Sequence, residues 1–235
     1  MIDVDDWNEL TEWWLEESAD PAYQDEVVPL FLGMLPRVGG HVLLDLGCGD
    51  GRVQDLVVAR GAMVIGVDVN LELARIASRR HPVVLNHLPG MACVRDAAVD
   101  GAYVVLALEH FENSSRFFRE AARVTCRRGS LTVVINHPVY TASASGPVLD
   151  TTDGELFWRF GDYLTAGRTR DLAGEGTVGF IHRPIWMLFT EAAAAGWSLE
   201  EVREQGVGSV AAVRDPILAK HRDIPHLMGI RWRRL

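Results

Sequence analysis

The sequence predicts an α/β fold in which a mostly parallel sheet is doubly wound, with helices on both faces. Three observations predict it. From residue 42 to about residue 136, short β-branched runs alternate with stretches whose apolar residues recur at helical spacing, the pattern of successive βαβ units. The runs are almost continuously apolar, as strands covered on both faces must be. A glycine-rich segment joins the first run to the first helical stretch, where open α/β sheets bring backbone close to a ligand.

The elements follow in order. Val42 to Leu46, Met63 to Val67, Ala102 to Leu108 and Leu131 to Ile135 are the apolar runs that predict four strands. Arg52 to Arg60 places Val53, Leu56 and Val57 on one helical face and stops at Gly61, a helix-terminating glycine. Asn70 caps a second helix, Leu71 to Arg79, with Leu73, Ile76 and Ala77 on its apolar face. A third helix runs from Ser115 to Cys126 and is expected to end at Gly129. Residues 139 to 177 break the rhythm and read as loop, an insert carrying Tyr140, Phe157, Trp158, Phe160 and Tyr163. Pro184 opens a further helix to Gly196, after which Trp197 to Arg203 and Met228 to Arg234 read as strands extending one sheet edge. The whole is expected to be one domain: an N-terminal helical cap (1–38), a core (40–136), an insert or lid (139–177) and a C-terminal helix with edge strands (178–235).

Composition narrows the function. The chain has 235 residues, 48% hydrophobic and 23% charged, which excludes disorder and leaves ample core. No apolar run approaches the roughly 18 residues that span a bilayer, and no secretory leader is visible, so a soluble, cytoplasmic protein without a membrane partner is expected. Cys48, Cys93 and Cys126 match neither a disulfide framework nor a metal site. Net charge is −9, and residues 1 to 26 carry ten acids with no base before Arg37, a field that disfavours nucleic acid. The only lysine is Lys220, which restricts Schiff-base chemistry to that residue. The oligomeric state is left open.

The most informative stretch is Asp45-Leu46-Gly47-Cys48-Gly49-Asp50-Gly51, an acid closing a strand and then glycines at alternate positions. Glycines there let backbone approach a ligand where a Cβ would collide. Seventeen residues beyond Gly51, Asp68 closes the second strand, placed to accept both hydroxyls of a ribose, so an adenosine-containing cofactor is implied. The spacing G-x-G-x-G, with Asp45 ahead of it, differs from the dinucleotide fingerprint G-x-G-x-x-G, and a carboxylate beside the loop suits a cationic cofactor better than a pyrophosphate.

These residues, with Val64-Ile65-Gly66-Val67-Asp68-Val69-Asn70, Tyr103 to His110 and Arg119 to Val124, resemble the class I S-adenosylmethionine-dependent methyltransferases, and more narrowly their small-molecule, type 11 branch. The resemblance covers residues 40 to 136 well and the remainder loosely. It implies a Rossmann-like seven-stranded sheet with one antiparallel edge strand, S-adenosylmethionine as cofactor and S-adenosylhomocysteine as product. It further implies cofactor contacts from Gly47, Cys48, Gly49, Gly51 and Leu106, Asp68 on the ribose, Val69 against adenine, and Asp45 holding the loop and the cofactor amine, directly or through water. The chain departs from the family where the third strand should end in Gly-Asp; Asn86-His87-Leu88-Pro89 stands there, and Asn86 is the candidate for adenine.

Glu109 and His110 follow the fourth strand at the carboxyl edge, where such sheets place their sites. If the acceptor is a hydroxyl, a histidine removes its proton: His110 is the first candidate and His137 the second, although His110 also suits a packing role. Glu109, Tyr140, Tyr163, His182 and Arg183 are candidates for the substrate pocket, and the aromatic insert points to an apolar or aromatic small molecule. His41, His81, His221 and His226 read as surface residues. Trp13, Trp14 and Tyr23 belong to a helix that either closes over the cofactor or simply packs. No acidic cluster supports a metal. Two alternatives stand beside methyl transfer: an NAD(P)-dependent oxidoreductase, and a non-catalytic protein that binds the same cofactor.

Overall fold

The computed structural model describes residues 7, 9–173, 176–214, 216–220 and 222–235. Two helices precede the sheet, α1 (Thr11–Ala19) and α2 (Pro21–Met34). The core then alternates: β1 (Val42–Leu46), α3 (Arg52–Val58), β2 (Met63–Asp68), α4 (Leu71–Ala77), β3 (Val83–Leu85), β4 (Val99–Val105), a 3-10 turn (Leu108–His110), α5 (Ser114–Val124) and β5 (Thr125–Asn136). Beyond it come α6 (Pro138–Thr141), the strands β6 (Gly146–Leu149), β7 (Leu156–Arg159), β8 (Gly167–Ala173) and β9 (Gly176–His182), and α7 (Ile185–Ala194). The chain closes with β10 (Trp197–Gln205), α8 (Ser209–Arg214), α9 (Pro216–Lys220) and β11 (Leu227–Arg234).

Seven strands form one sheet in the order β10-β11-β5-β4-β1-β2-β3. The pairings β1–β2, β2–β3, β1–β4 and β4–β5 are parallel. The reversed strand of the edge is β11, antiparallel to both β5 and the outermost β10. On one face, Phe31 and Met34 of α2 and Val57 of α3 pack on Leu43, Tyr103 and Val134. On the other, Phe117, Phe118 and Ala121 of α5 and Leu188 of α7 pack on Leu44, Val104, Val133 and Trp232. Each large side chain so buried contributes about 1.5–3 kcal/mol, and both faces of the central strands are covered as their unbroken apolar runs require.

The structure revises several expectations. The third helix ends at Val124, and Thr125 already pairs with Val99 in a longer fifth strand. Gly129 is no helix stop: it lies in a bulge of β5 where an added Cβ would stand 2.5 Å from the Asp100 carbonyl. The stretch read as loop contains two hairpins, β6–β7 and β8–β9; residues 174 and 175 lie outside the described residues, as does His221. His41 is exposed, but His81 is half-buried beside Asp55 at 2.6 Å, and His226 pairs with Glu26 at 3.1 Å and stacks on Tyr140. Among the described residues no helix is long and apolar enough to cross a membrane.

Candidate active site

Adjacent strands β3, β2, β1 and β4 deliver their following segments to one cavity of about 580 Å³ at the carboxyl edge of the sheet. Its floor is the loop after β1. Gly47 (φ +83°) and Gly49 (φ +54°) both hold left-handed backbone conformations that side chains resist. An added Cβ would stand 2.6 Å from Ala107 Cβ at the first and 2.8 Å from Trp14 Nε1 at the second.

Asp68 and Val69 line the cavity from the end of β2. Asp68 Oδ2 accepts from Gly49 N (2.7 Å) and Oδ1 from Asn70 N (2.8 Å), so this carboxylate ties the loop after β1 to the turn after β2. Burial raises its pKa against those two N–H groups, and an ionised carboxylate with four lone-pair sites retains acceptor capacity on each oxygen. Asn70 caps α4 through Oδ1, as its sequence position predicts, and its Nδ2 donates to Trp7 O and Thr11 Oγ1, both at 2.8 Å. That side chain anchors the N-terminal segment above the site. After β3, Asn86 Nδ2 donates to the Gly90 carbonyl, which closes the 86–90 loop and leaves Oδ1 as an acceptor at the cavity wall.

After β4 the chain reverses at Leu106 (φ +50°) into the 3-10 turn carrying His110. His110 lines the cavity, edge-on to Trp7 (ring centroids 4.7 Å) and tilted against Phe180 (5.0 Å). Its Nδ1 lies 2.8 Å from Gly179 O. A carbonyl only accepts, so Nδ1 carries the proton and Nε2 the lone pair. Burial lowers the ring pKa to about 4 against the pull of two backbone groups, at Gly179 and Leu106, which keeps the imidazole neutral at neutral pH.

The comparisons with known proteins agree with this geometry. Residues 44–133 match the family described as a methyltransferase domain, type 11. The fold superimposes on an S-adenosylmethionine-dependent methyltransferase from Mesorhizobium loti with TM-score 0.78 and 27% identity, over 88% of this chain and 96% of that one. Together these matches support a class I S-adenosylmethionine-dependent methyltransferase, with the family's domain at residues 44–133. A probable S-adenosylmethionine-dependent methyltransferase of Mycobacterium tuberculosis is 32% identical over 45% of this chain and 38% of its own length. A ubiquinone biosynthesis O-methyltransferase of Chromobacterium violaceum is 26% identical over 46% of this chain and 51% of its own. The matches thus cover 38% and 51% of the length of those two relatives.

The residues around the cavity suit S-adenosylmethionine, since Gly47 and Gly49 bring bare backbone to its floor, where a Cβ would collide with Ala107 or Trp14, and the volume lies within the roughly 300–1,000 Å³ of small-ligand sites. Of the expected cofactor contacts, Gly47, Gly49, Asp68, Val69, Asn86 and Leu106 line the cavity of the methyltransferase. Asp45, Cys48 and Gly51 do not. Asp45 is 2% exposed beneath the loop, where burial raises its pKa strongly, and it stands behind the cavity lining. Cys48 is buried against Gly66, and burial pushes its thiol up. Gly51 (φ +83°) permits close packing on Ala77.

The expected substrate residues are drawn elsewhere. His137 is buried with both ring nitrogens engaged, Nε2 with Glu204 (2.9 Å) and Nδ1 accepting from Val139 N (3.1 Å), so it caps α6 and is not free to act as a base. Tyr140 stacks between Trp158 and His226. His182 joins Thr141 Oγ1 to Tyr163 O, and the Tyr163 hydroxyl accepts from Ile185 N. Arg183 spends its guanidinium on the carbonyls of Leu108, Phe111 and Glu112, and Glu109 turns under the sheet edge to Asn136. These residues support the turn bearing His110 and the hairpin behind it. Trp7, Phe111, Asn113 and Arg116, which line the cavity, were not singled out, whereas Trp14, named with the helix over the cofactor, lines it too. The Trp residues offered one signal, large aromatic groups in an otherwise acidic N-terminal segment; Phe111 and Arg116 offered none beyond proximity to the fourth strand.

Proposed function

We propose that the protein transfers a methyl group from S-adenosylmethionine to a hydroxyl on a small apolar or aromatic metabolite. The observation that carries the reading is Asp68, held by Gly49 N and Asn70 N at the floor of a cavity whose nearest loop is glycine. In this reading Asp68 accepts the ribose hydroxyls, Val69 packs on adenine, Asn86 Oδ1 accepts from the adenine amino group, and Gly47 and Gly49 admit the methionine end. When bound, the cofactor supplies an electrophilic methyl group on a sulfonium. The chain's own contribution is position and a proton acceptor. Leu106 and Ala107 wall the transfer zone, and Trp7 and Phe111 exclude water from it. Holding the acceptor in line with the methyl supplies much of the acceleration. His110 Nε2 takes the hydroxyl proton, and the Gly179 carbonyl stabilises the imidazolium that results.

The aromatic wall of Trp7, His110 and Phe111, together with similarity to ubiquinone biosynthesis O-methyltransferases, supports an aromatic hydroxyl as acceptor. Calorimetry should show micromolar binding of S-adenosylhomocysteine and none of NAD. A panel of phenols and aliphatic alcohols incubated with methyl-labelled cofactor should then yield methyl ethers from the aromatic members. Failure to bind S-adenosylhomocysteine overturns the cofactor placement; binding without transfer to any panel member overturns the acceptor class.

A further inference from the structure

Resting on the cofactor placement above, we propose that Trp14 recognises the amino-acid end of the cofactor, its indole N–H donating to the α-carboxylate. The order of groups around the cavity places that end. Asn86 to Gly90 stand on the far side of Asp68 from the glycine loop, so with the ribose at Asp68 and the base toward Asn86, the amino-acid tail passes over Gly47 and Gly49. Trp14 stands over that part of the floor, its Nε1 being the atom nearest a Cβ built on Gly49, at 2.8 Å. The ring is held in place, perpendicular to the buried Tyr23 (6.2 Å) and tilted against Trp13 (6.3 Å). The indole Nε1 has no hydrogen-bond partner among the described residues, whereas Gly49 N, its neighbour on the floor, already serves Asp68.

Charge makes the donor necessary. Asp68 near this end repels a carboxylate, Arg52 is spent on Asp50 (2.8 Å), and Arg116, the arginine of the cavity wall, lies at the opposite end against Gly90, 3.1 Å from where a Cβ would stand there. A carboxylate over Gly49 therefore needs a donor from above, and Trp14 is the side chain from the N-terminal helices that reaches it. Tryptophan is a donor only and a large flat cover at once, so it satisfies one carboxylate oxygen while shielding it from water.

The test compares S-adenosylhomocysteine with its decarboxylated analogue, which differ in the carboxylate alone, on the full chain and on Trp14→Phe, which keeps a ring and removes the N–H. The unmodified protein should bind S-adenosylhomocysteine about tenfold more tightly than the analogue, and Trp14→Phe should lose about tenfold for the first and nothing for the second, as expected for one hydrogen bond to a charged group that remains partly hydrated. Equal weakening of both ligands, or of neither, overturns the proposal and leaves Trp14 a packing residue. If the unmodified protein binds neither ligand, the cofactor reading itself fails. Should Trp14→Phe lose its native thermal transition, the indole N–H signals of the 15N-labelled unmodified protein decide: one of them must move with S-adenosylhomocysteine and stay with the analogue, and identical responses overturn the assignment.

Discussion

Glu109 and His110 are consecutive in one 3-10 turn and face opposite sides of the sheet edge: His110 lines the cavity, whereas Glu109 is buried with Oε1 accepting from Asn136 N (3.2 Å) and Nδ2 (2.9 Å). Burial displaces both ionisations toward the neutral form, raising Glu109 to about 7 and lowering His110 to about 4. The turn therefore carries two uncharged groups between pH 4.5 and 6.5, where an unfolded chain would carry two charges. Glu109 is thereby tied to Asn136 of β5, while His110 presents its neutral ring to the cavity.

For Glu109, the native state binds more protons than the unfolded chain between its ordinary value of 4.5 and about 7. Stability on this account is full below 4.5 and falls as pH rises through 7, by up to about 3 kcal/mol. Glu109→Gln, which stays neutral and keeps an acceptor for Asn136, should flatten the urea midpoint over that range. An unchanged slope between pH 5 and 7.5 would show that burial does not displace this carboxyl.

His110 has the opposite sign. Its depressed value means that stability is full above about 6.5 and is lost as pH falls toward 4, again by up to about 3 kcal/mol. His110→Gln should relieve this acid sensitivity and, with an acceptor in hand, lower kcat about 10²–10⁴-fold. The parent rate should show no protonation of His110 above pH 5. His137→Gln should leave turnover within about threefold, because both nitrogens of His137 are spent on Glu204 and Val139; a large fall in kcat there would return His137 to the reaction.

Asp68→Ala removes an acceptor shared by two backbone N–H groups and, in the proposed complex, by the ribose. At about 1.5–3 kcal/mol per charged hydrogen bond, S-adenosylhomocysteine affinity should fall at least about 100-fold in calorimetry. Asp68→Asn should fall less if the loop keeps its shape. Undiminished affinity in Asp68→Ala would refute the sugar site.

The strand runs and the glycine loop were legible because each is governed by local chemistry: Val104, Val105 and Val134 must be covered on both faces, and Gly47 and Gly49 must hold backbone angles that side chains resist. Asn70 was legible as a cap for the same reason. The acceptor wall was not. Tyr140, His182 and Arg183 have residue types suited to a pocket, but whether they face it depends on how β8–β9 and α6 dock, a long-range matter that no spacing encodes. The hairpins were missed because β6 and β7 are short and mostly exposed, so their side chains lack the burial that writes a pattern into sequence. Gly129 misled because a glycine after a helical stretch looks the same whether it ends the helix or relieves a bulge.

Arg183 offers the sharpest test of how that docking controls the site. Its buried guanidinium, 5% exposed, donates to the carbonyls of Leu108, Phe111 and Glu112, thereby holding the turn that contains both Glu109 and His110. Arg183→Met keeps the apolar stem and leaves those carbonyls without their donor, which should cost about 2–4 kcal/mol in chemical denaturation. The loops after β1 and β2 are untouched, so S-adenosylhomocysteine binding should persist while kcat falls. The guanidinium also pulls the Glu109 ionisation downward, so its removal should move the Glu109-dependent part of the stability profile to higher pH. Loss of stability with no movement of that profile would mean that Arg183 braces the turn without sensing Glu109, and loss of cofactor affinity in proportion to kcat would mean that the turn supports the cofactor floor as well as the acceptor wall.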